Sequence, residues 1–285
     1  MNTLDFSKDK VQSLDYETLL KTVPENDYLG KPIGGHYHYE VIDSILDIIG
    51  RYNVPARVED MFAAKNNDSK RPGVSILPER EERYGKGSPE SFILRRVYTT
   101  IVLGSEKDGI RNAIAISYNQ NGIQVGFGPN VKICHNQTIL GSEQLISNYG
   151  YGNVMKQVSG DKPFWHDYVE KWVSSLSVYQ ESFGNQIQDM QMQKVSREDF
   201  QLLAGRLLYN RLKLDGGDRK YVEQAPVSCA QLNSIVRDYQ ENGGCRTKWD
   251  IANLITAVLK PRTADMATMM VCNLRAMNII NDWKV

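Results

Sequence analysis

The sequence Arg95-Arg96-Val97-Tyr98-Thr99-Thr100-Ile101-Val102-Leu103 is rich in β-branched and aromatic residues, the composition of a half-buried β-strand. After a turn-rich segment, Ile110-Arg111-Asn112-Ala113-Ile114-Ala115-Ile116-Ser117-Tyr118 alternates with a period of two, which is the spacing of side chains on one face of a strand. Asn119-Gln120-Asn121-Gly122 follows and contains the Asn-Gly pair that tolerates positive φ in a tight turn. These residues predict two antiparallel strands and the start of a third.

The strand pattern continues to Gln137. Ile123–Phe127 and Val131–Cys134, separated by Gly128-Pro129-Asn130, have strand composition. The whole stretch from Phe92 therefore predicts an antiparallel β-meander. Upstream, apolar residues between Glu40 and Tyr52 recur at helical spacing and predict an amphipathic helix that packs on the sheet.

The C-terminal half changes from strand to helix periodicity at about residue 141. Two sequences resemble capping boxes and predict helix starts: Ser196–Asp199 and Ser228–Gln231. Thr247–Asp250 is predicted to begin a further helix. The predicted fold class is therefore α+β, with an antiparallel β-meander and a packed helix followed by a helical C-terminal half.

Composition also predicts how the chain is divided. Residues 1–35 are polar and predict an irregular N-terminal segment, residues 36–150 an α+β sheet domain and residues 151–285 a helical domain. Within the sheet domain, Lys65 to Pro89 is rich in charged residues, asparagine, glycine and proline and predicts a long loop.

Bulk composition argues against several classes of protein. Charged residues make up 24% of the chain and hydrophobic residues 41%, as in globular proteins, and the formal net charge is zero. No apolar run approaches the roughly 18–20 residues of a membrane span, and the first residues lack the order of a secretory signal. We therefore expect a cytoplasmic protein without membrane partners. Its four cysteines are expected to be reduced thiols: Cys134, Cys229, Cys245 and Cys272.

Basic and aromatic residues on the predicted strands indicate a nucleic-acid-binding face. On such a face, cations neutralise phosphates and aromatic rings stack on bases. The residues concerned are Arg95, Arg96, Tyr98, Arg111 and Lys132. The alternative is a solvated sheet face, because nearby acidic side chains almost cancel these charges. A second basic group lies in the helical half: Arg206, Arg211, Lys213, Arg219 and Lys220.

His36, His38 and Glu40 form the cluster most like a metal site. Alternate residues of an extended strand share a face, so two imidazoles and a carboxylate can form a facial triad. Glu40 has a second explanation, because acidic residues are favourable at the start of a helix.

Other motifs give weaker chemical signals. Cys134 and His135 are adjacent on a predicted strand and would point to opposite faces, which argues against a nucleophile and base pair. Asp215-Gly216-Gly217-Asp218 is better explained as a turn than as a cation site. The sequence contains no Walker, Gly-x-Ser-x-Gly, His-Glu-x-x-His or dinucleotide motif, and no cofactor is predicted.

An apolar series after residue 162 alternates spacings of three and four residues, as in a coiled coil. One interpretation is a helix that packs its aromatic stripe within the same chain, and the other is a seam between copies in a homo-oligomer. The candidate interface residues are Trp172, Leu176, Tyr179, Phe183 and Met190.

Three short motifs resemble one family. Ser117–Gly122, Val131–Asn136 and Thr247–Thr256 look like segments of the phage/plasmid-like protein family (domain of unknown function 932) and its relatives in Bacteroides-type mobile elements. Cys134 and Asn136 match the family's Cys-x-Asn. Only Ser117 and Gly122 match its Asn-Ser-His-Asp-Gly-Ser turn. The resemblance implies a phage or conjugative-element setting and brings no established activity, so it assigns no catalytic residue. More distantly, the core looks like that of single-strand annealing proteins.

These observations lead to three functional expectations. The first is a non-enzymatic protein of a phage or mobile genetic element that binds single-stranded or recombining nucleic acid as a homo-oligomer. The alternative is a protein-interaction factor, such as a phage-encoded inhibitor of a host defence complex, that uses the Trp172–Met190 seam and the Lys65–Pro89 loop. The third is a metal-dependent enzyme built on His36, His38 and Glu40.

Overall fold

The fold is known from a computed structural model. It describes residues 3–7, 10–23, 36–65, 72–107, 110–119, 122–131, 136–149, 162–208, 211–214, 220–223, 225–241, 243, 246–259 and 266–283. Strands dominate the first half and helices the second, so the predicted α+β class is confirmed.

Most of the strands belong to one antiparallel sheet. The strands are β1 (Val11–Ser13), β2 (Ala56–Ala64), β3 (Val74–Ile76), β4 (Phe92–Leu94), β5 (Val97–Lys107), β6 (Ile110–Asn119), β7 (Gly122–Val131), β8 (Asn136–Gln137), β9 (Leu145–Tyr149), β10 (Lys194–Val195), β11 (Arg211–Leu214), β12 (Lys220–Glu223) and β13 (Arg246–Thr247). Within the described ranges, seven of them form the main sheet in the order β1-β2-β5-β6-β7, with β8 and β9 both pairing with β7. The pairs β3–β4, β10–β13 and β11–β12 are separate two-stranded ribbons.

The helices cover the sheet and extend beyond it. They are α1 (Tyr16–Lys21), α2 (His38–Arg51), α3 (Pro78–Tyr84), α4 (His166–Ser174), α5 (Leu176–Met192), α6 (Arg197–Leu208), α7 (Cys229–Glu241), α8 (Lys248–Val258) and α9 (Met266–Asn281). Among the described residues, none of these helices has both the length and the apolar character needed to cross a bilayer.

The central hairpins follow the predicted meander, with one correction. Ile114 of β6 lies opposite Ile101 of β5 and Phe127 of β7, so these apolar residues share one face. Gly128, Pro129 and Asn130 do not separate two strands. They continue β7, in register with β6.

The first face of the sheet is buried by aromatic and aliphatic contacts. The Phe127 ring stacks on Trp172 of α4 with centroids 5.4 Å apart, and it meets Tyr179 and Phe183 of α5 at 5.2 and 5.7 Å. The isoleucine-rich inner side of α2 belongs to the same cluster. This layer contributes the largest part of the hydrophobic stabilisation.

The second face of the sheet is buried as well. Gly128 has no room for a side chain, because the Thr138 carbonyl oxygen occupies the position that a Cβ atom would take. A Cβ at Gly126 would lie 2.7 Å from the Met270 Cε of α9. The Ile139 amide donates a hydrogen bond to Asn273 Oδ1 of α9 at 3.2 Å. The chain after β8 is thus held between β7 and α9.

Two segments that the sequence predicts to be irregular contain regular structure. Residues 10–23 of the N-terminal segment form β1, which pairs with β2, and α1, which begins where Asp15 accepts a hydrogen bond from the Thr18 amide. The described part of the predicted Lys65–Pro89 loop contains β3 and α3. In α3 a proline at the first turn precedes good helix formers, a pattern that the many charges hide.

The two predicted larger domains share their core. Buried side chains from Leu4 to Trp283 form one hydrophobic cluster that includes the sheet, α2, α4 and the C-terminal helices. Capping boxes begin α6 and α7 at Ser196 and Ser228 as predicted. The helix predicted from Thr247 also begins with a capping box, formed by Thr247 and Asp250.

The close approach at Gly128 predicts a large effect of a single methyl group. Gly128→Ala would place Cβ against a backbone carbonyl, so β7 and the Thr138 segment must separate, and we expect the free energy of unfolding to fall by about 1–3 kcal/mol or more. Urea denaturation measures this change. Gly184→Ala is the control: it lies inside α5 with open space around it and should raise stability by roughly 0.5–1 kcal/mol. An unchanged stability of Gly128→Ala would contradict the packing described here.

Candidate functional site

The residues predicted to bind nucleic acid do not form an open face. Tyr98 is only 6% exposed and packs on Phe62, with ring centroids 6.4 Å apart, and burial raises the pKa of Tyr98 to about 12. Arg95 is half-buried and its Nη1 donates to Ser75 Oγ at 2.6 Å. Arg96 is also half-buried. A buried tyrosine cannot stack on a base, so the prediction is wrong for Tyr98.

Arg111 is engaged in an ion pair inside the protein. Its Nη1 and Nη2 lie 2.8 and 3.0 Å from the two carboxylate oxygens of Glu59, and both side chains are largely buried. The two residues are on β6 and β2, with β5 between them, and an irregularity between Val58 and Asp60 interrupts the register at Glu59. Because this guanidinium is already paired, its prediction as a phosphate contact is wrong. Lys132 lies outside the described residues.

The predicted interface series packs within its own chain. The helix is not continuous, because α4 ends at Ser174 and α5 begins at Leu176. The side chains of this series are buried or pack directly against the core: Trp172, Leu176, Tyr179, Phe183 and Met190. This packing favours the intramolecular interpretation, and only Leu176 and Tyr179 of the series are partly exposed.

The predicted metal triad does not come together. The helix α2 begins at His38, two residues before the predicted start, so alternate residues no longer share a face. Glu40 Oε2 accepts a hydrogen bond from the Tyr37 amide at 2.8 Å and caps the helix. His36 packs against Trp165, with ring centroids 4.9 Å apart. These contacts leave the three side chains in separate environments. Cys134, His135 and residues 215–218 lie outside the described residues.

A cleft of about 660 Å³ lies between α6 and α7. Each wall presents residues at spacings of three and four, which is one face of a helix. The α6 wall consists of Arg197, Phe200, Gln201 and Ala204, and the opposite wall of Val236, Tyr239, Gln240 and Gly243. Val195 and Ser196, at the start of α6, complete the described lining.

The floor of the cleft is apolar and rigid. Phe200 and Tyr239 stack with ring centroids 3.9 Å apart and an interplanar angle of 9°, and both are only 4% exposed. Val195 is buried beside them, on the β10 strand that pairs with β13. The stacked rings are buried against each other and close the bottom of the cleft. The accessible apolar surface of the cleft comes from Ala204 and Val236, which are partly exposed.

The positions of α6 and α7 follow from their sequences. The capping box of Ser196 and Asp199 fixes the first turn of α6, and Leu203 and Leu207 anchor the helix in the core. Leu232 and Ile235 do the same for α7. The two helices therefore lie side by side, and the cleft is the gap between them.

The rim of the cleft is polar and exposed. Arg197, Gln201 and Gln240 extend around the opening and offer a guanidinium and two amides. An apolar floor surrounded by a few directional polar groups is the usual composition of a ligand site. The sequence predicts both helices, but no sequence pattern predicts a cleft between them.

Burial of His38 makes the stability of the fold depend on pH. His38 is 3% exposed, and burial lowers its pKa from 6.5 to about 4. Between these values the unfolded state binds a proton that the folded state excludes, so stability falls as the pH falls through this window. We expect a loss of about 3 kcal/mol from His38 between pH 7 and pH 4.

Comparison with a variant isolates this effect from that of the carboxylates. Urea denaturation of the native protein and of His38→Gln at pH 7, 5.5 and 4 should show that the variant loses less stability on acidification. Parallel losses in the two proteins would show that His38 is not the group responsible.

Comparison of the chain with protein-family models, with curated proteins and with solved structures gives no match. The resemblance to the phage/plasmid-like family and the mobile-element setting that it implies therefore stay predictions. The geometry of the chain's own residues is what supports a function.

Proposed function

We propose that the protein is a protein-interaction factor that binds its partner in the α6–α7 cleft. The observation that supports this proposal is the cleft of about 660 Å³ with a buried apolar floor and an exposed polar rim. An interaction factor is one of the functions expected from the sequence. Its contact surface, however, moves from the Trp172–Met190 series and the Lys65–Pro89 segment to α6 and α7.

The partner that fits this cleft best is an amphipathic helix of another protein. Its walls run from Arg197 to Ala204 and from Val236 to Gly243, and two such helix faces form a groove for the apolar side of a third helix. Seven residues of helix rise about 10 Å, so the groove accepts about two turns. One or two apolar side chains of the partner would enter the cleft and contact the partly exposed Ala204 and Val236.

Arg197 gives the cleft a preference for an acidic partner. It is the one charged residue among the described lining residues, and no ion pair of Arg197 is seen within the described part of the chain. A carboxylate placed here gains a charge-assisted hydrogen bond, whereas a lysine or arginine is repelled. The partner helix should therefore carry Asp or Glu beside its apolar stripe.

The described lining residues favour binding over catalysis. They include no histidine, cysteine, lysine or carboxylate to act as an acid, base or nucleophile. Ser196 donates its hydroxyl proton to Asp199 as part of the helix cap, and no imidazole activates it. The apolar lining and the amides serve recognition.

Selected helical peptides test the proposed function. A display library of peptides of about 14 residues, patterned with apolar residues three and four apart and one acidic residue, is selected on the native protein. We expect peptides that bind with a Kd on the order of micromolar, measured by fluorescence anisotropy. Ala204→Arg fills the groove and Arg197→Glu repels the acidic residue, so each should raise the Kd at least about 10-fold.

The matched control introduces the same arginine into the same helix. Leu202 is 66% exposed and does not line the cleft, so Leu202→Arg should leave the Kd unchanged. Peptides that bind Ala204→Arg as tightly as the native protein would sink the proposal. Failure to enrich any patterned sequence over a selection on Ala204→Arg would do the same.

Nucleic-acid binding is a second candidate, and the β11–β12 hairpin favours it. The register sets Arg211 opposite Glu223 and Lys213 opposite Tyr221, so these four positions share one face of the ribbon. Lys220 lies opposite Leu214 and therefore on the other face. The face of Arg211, Lys213 and Tyr221 has two cations and an aromatic residue, the residue types that contact phosphates and bases. This hairpin replaces the sheet residues as the proposed contact surface.

A labelled single-stranded oligonucleotide tests this second candidate by fluorescence anisotropy. Two phosphate contacts should lower the affinity about 7-fold between about 50 and 200 mM salt. Lys213→Glu should remove most of the binding, whereas Arg237→Glu, on an exposed position of α7, should not change it. Equal binding by both variants, or binding that is insensitive to salt, would rule out the hairpin as the contact surface.

A further inference from the structure

A group of three potential metal ligands lies at the start of α4, apart from the α6–α7 cleft. His166, Asp167 and Glu170 each offer one ligand atom, and these atoms all lie within 4.8 Å of one another. No other group of three such donors is found among the described residues. We propose that this group is a binding site for a divalent transition-metal ion such as Zn²⁺.

The distances within the group are close to those of a metal site. His166 Nδ1 lies 3.3 Å from Asp167 Oδ1 and 3.7 Å from Glu170 Oε2. Bonds of about 2.0–2.2 Å to a tetrahedral ion separate neighbouring ligand atoms by about 3.3–3.5 Å. His166 and Glu170 are one helical turn apart and share a face of α4. Small side-chain movements therefore suffice to enclose an ion.

A contact from outside the group orients one of the ligands. The hydroxyl of Tyr52, the residue after α2, donates to Glu170 Oε1 at 3.1 Å, which leaves Oε2 as the oxygen that faces the imidazole. The His166 residue is only 8% exposed. The neighbouring Trp165 indole donates to Ser44 Oγ at 3.2 Å and holds the start of α4 against α2. Such outer contacts fix ligand orientation in metal sites.

The donor set indicates the class of ion. One imidazole nitrogen and two carboxylate oxygens suit Zn²⁺, Co²⁺ or Mn²⁺, whereas Mg²⁺ and Ca²⁺ prefer sites with oxygen ligands alone. The two carboxylates also bring negative charge that a divalent ion balances. The competing arrangement is a protonated His166 paired with both carboxylates, and that arrangement excludes a metal ion.

Metal titration of the full chain, without an affinity tag, distinguishes these arrangements. Zn²⁺ is followed by calorimetry and Co²⁺ by its visible absorption, with one ion expected per chain. Asp167 and Glu170 are 74% and 38% exposed, so Asp167→Asn and Glu170→Gln should fold normally. Each should raise the Kd for Zn²⁺ at least about 10-fold, and Tyr52→Phe should raise it by a smaller factor.

Two matched controls complete the experiment. Asp189→Asn changes an exposed carboxylate of α5, and His36→Gln removes the histidine that packs on Trp165. Both should bind Zn²⁺ like the native protein. The site is ruled out if the native protein shows no saturable binding up to millimolar Zn²⁺. It is also ruled out if Asp167→Asn and Glu170→Gln bind as tightly as the native protein.

Discussion

The contact between the Thr138 carbonyl and Gly128 is the constraint on which the rest of the structure depends. A side chain at this position of β7 would push the chain off the sheet, and the neighbouring Gly126 lets Met270 of α9 approach in the same way. Because both glycines lack a Cβ atom, the sheet becomes an inner layer with packing on each side. Met270 and Ile139 form a smaller cluster with Tyr98 and Ala115 on this second face, apart from the main core.

Because both faces of the sheet are buried, a binding site is expected away from the sheet. Polar groups on the second face must find partners inside the protein, and the pair of Glu59 and Arg111 is the result. A guanidinium that satisfies a buried carboxylate cannot also leave it for a phosphate without a large cost. Recognition is therefore expected on helices whose lateral sides remain open, as α6 and α7 do around Phe200 and Tyr239.

Local sequence patterns predict the helices and strands of this protein well. They fail where the structure of a segment depends on contacts with residues that are distant in the sequence. Capping boxes and strand alternation identify α6, α7 and the central strands, because those signals act over a few residues. Gly128-Pro129-Asn130 has the composition of a loop, yet the glycine serves a tertiary contact. Burial of the second face rests on hydrogen bonds such as that from Ile139 to Asn273, 134 residues later. The same limit applies to the proposed metal site, since Glu170 gains its orienting contact only when the fold brings Tyr52, 118 residues earlier, beside it.

The two proposed sites, the metal-ligand group on α4 and the α6–α7 cleft, both lie on helices that are anchored in the core. α4 is fixed through Trp172 and Val169, and α6 through Leu203 and Leu207, so the outward donors and the cleft walls stand on helices that cannot move independently. A surface that is already ordered loses little conformational entropy on binding, and more of the contact energy appears as affinity. The β11–β12 hairpin is a ribbon separate from the main sheet. Because α6 and α7 are anchored in the core by Leu203, Leu207 and Ile235, the α6–α7 cleft is the principal candidate for a binding surface.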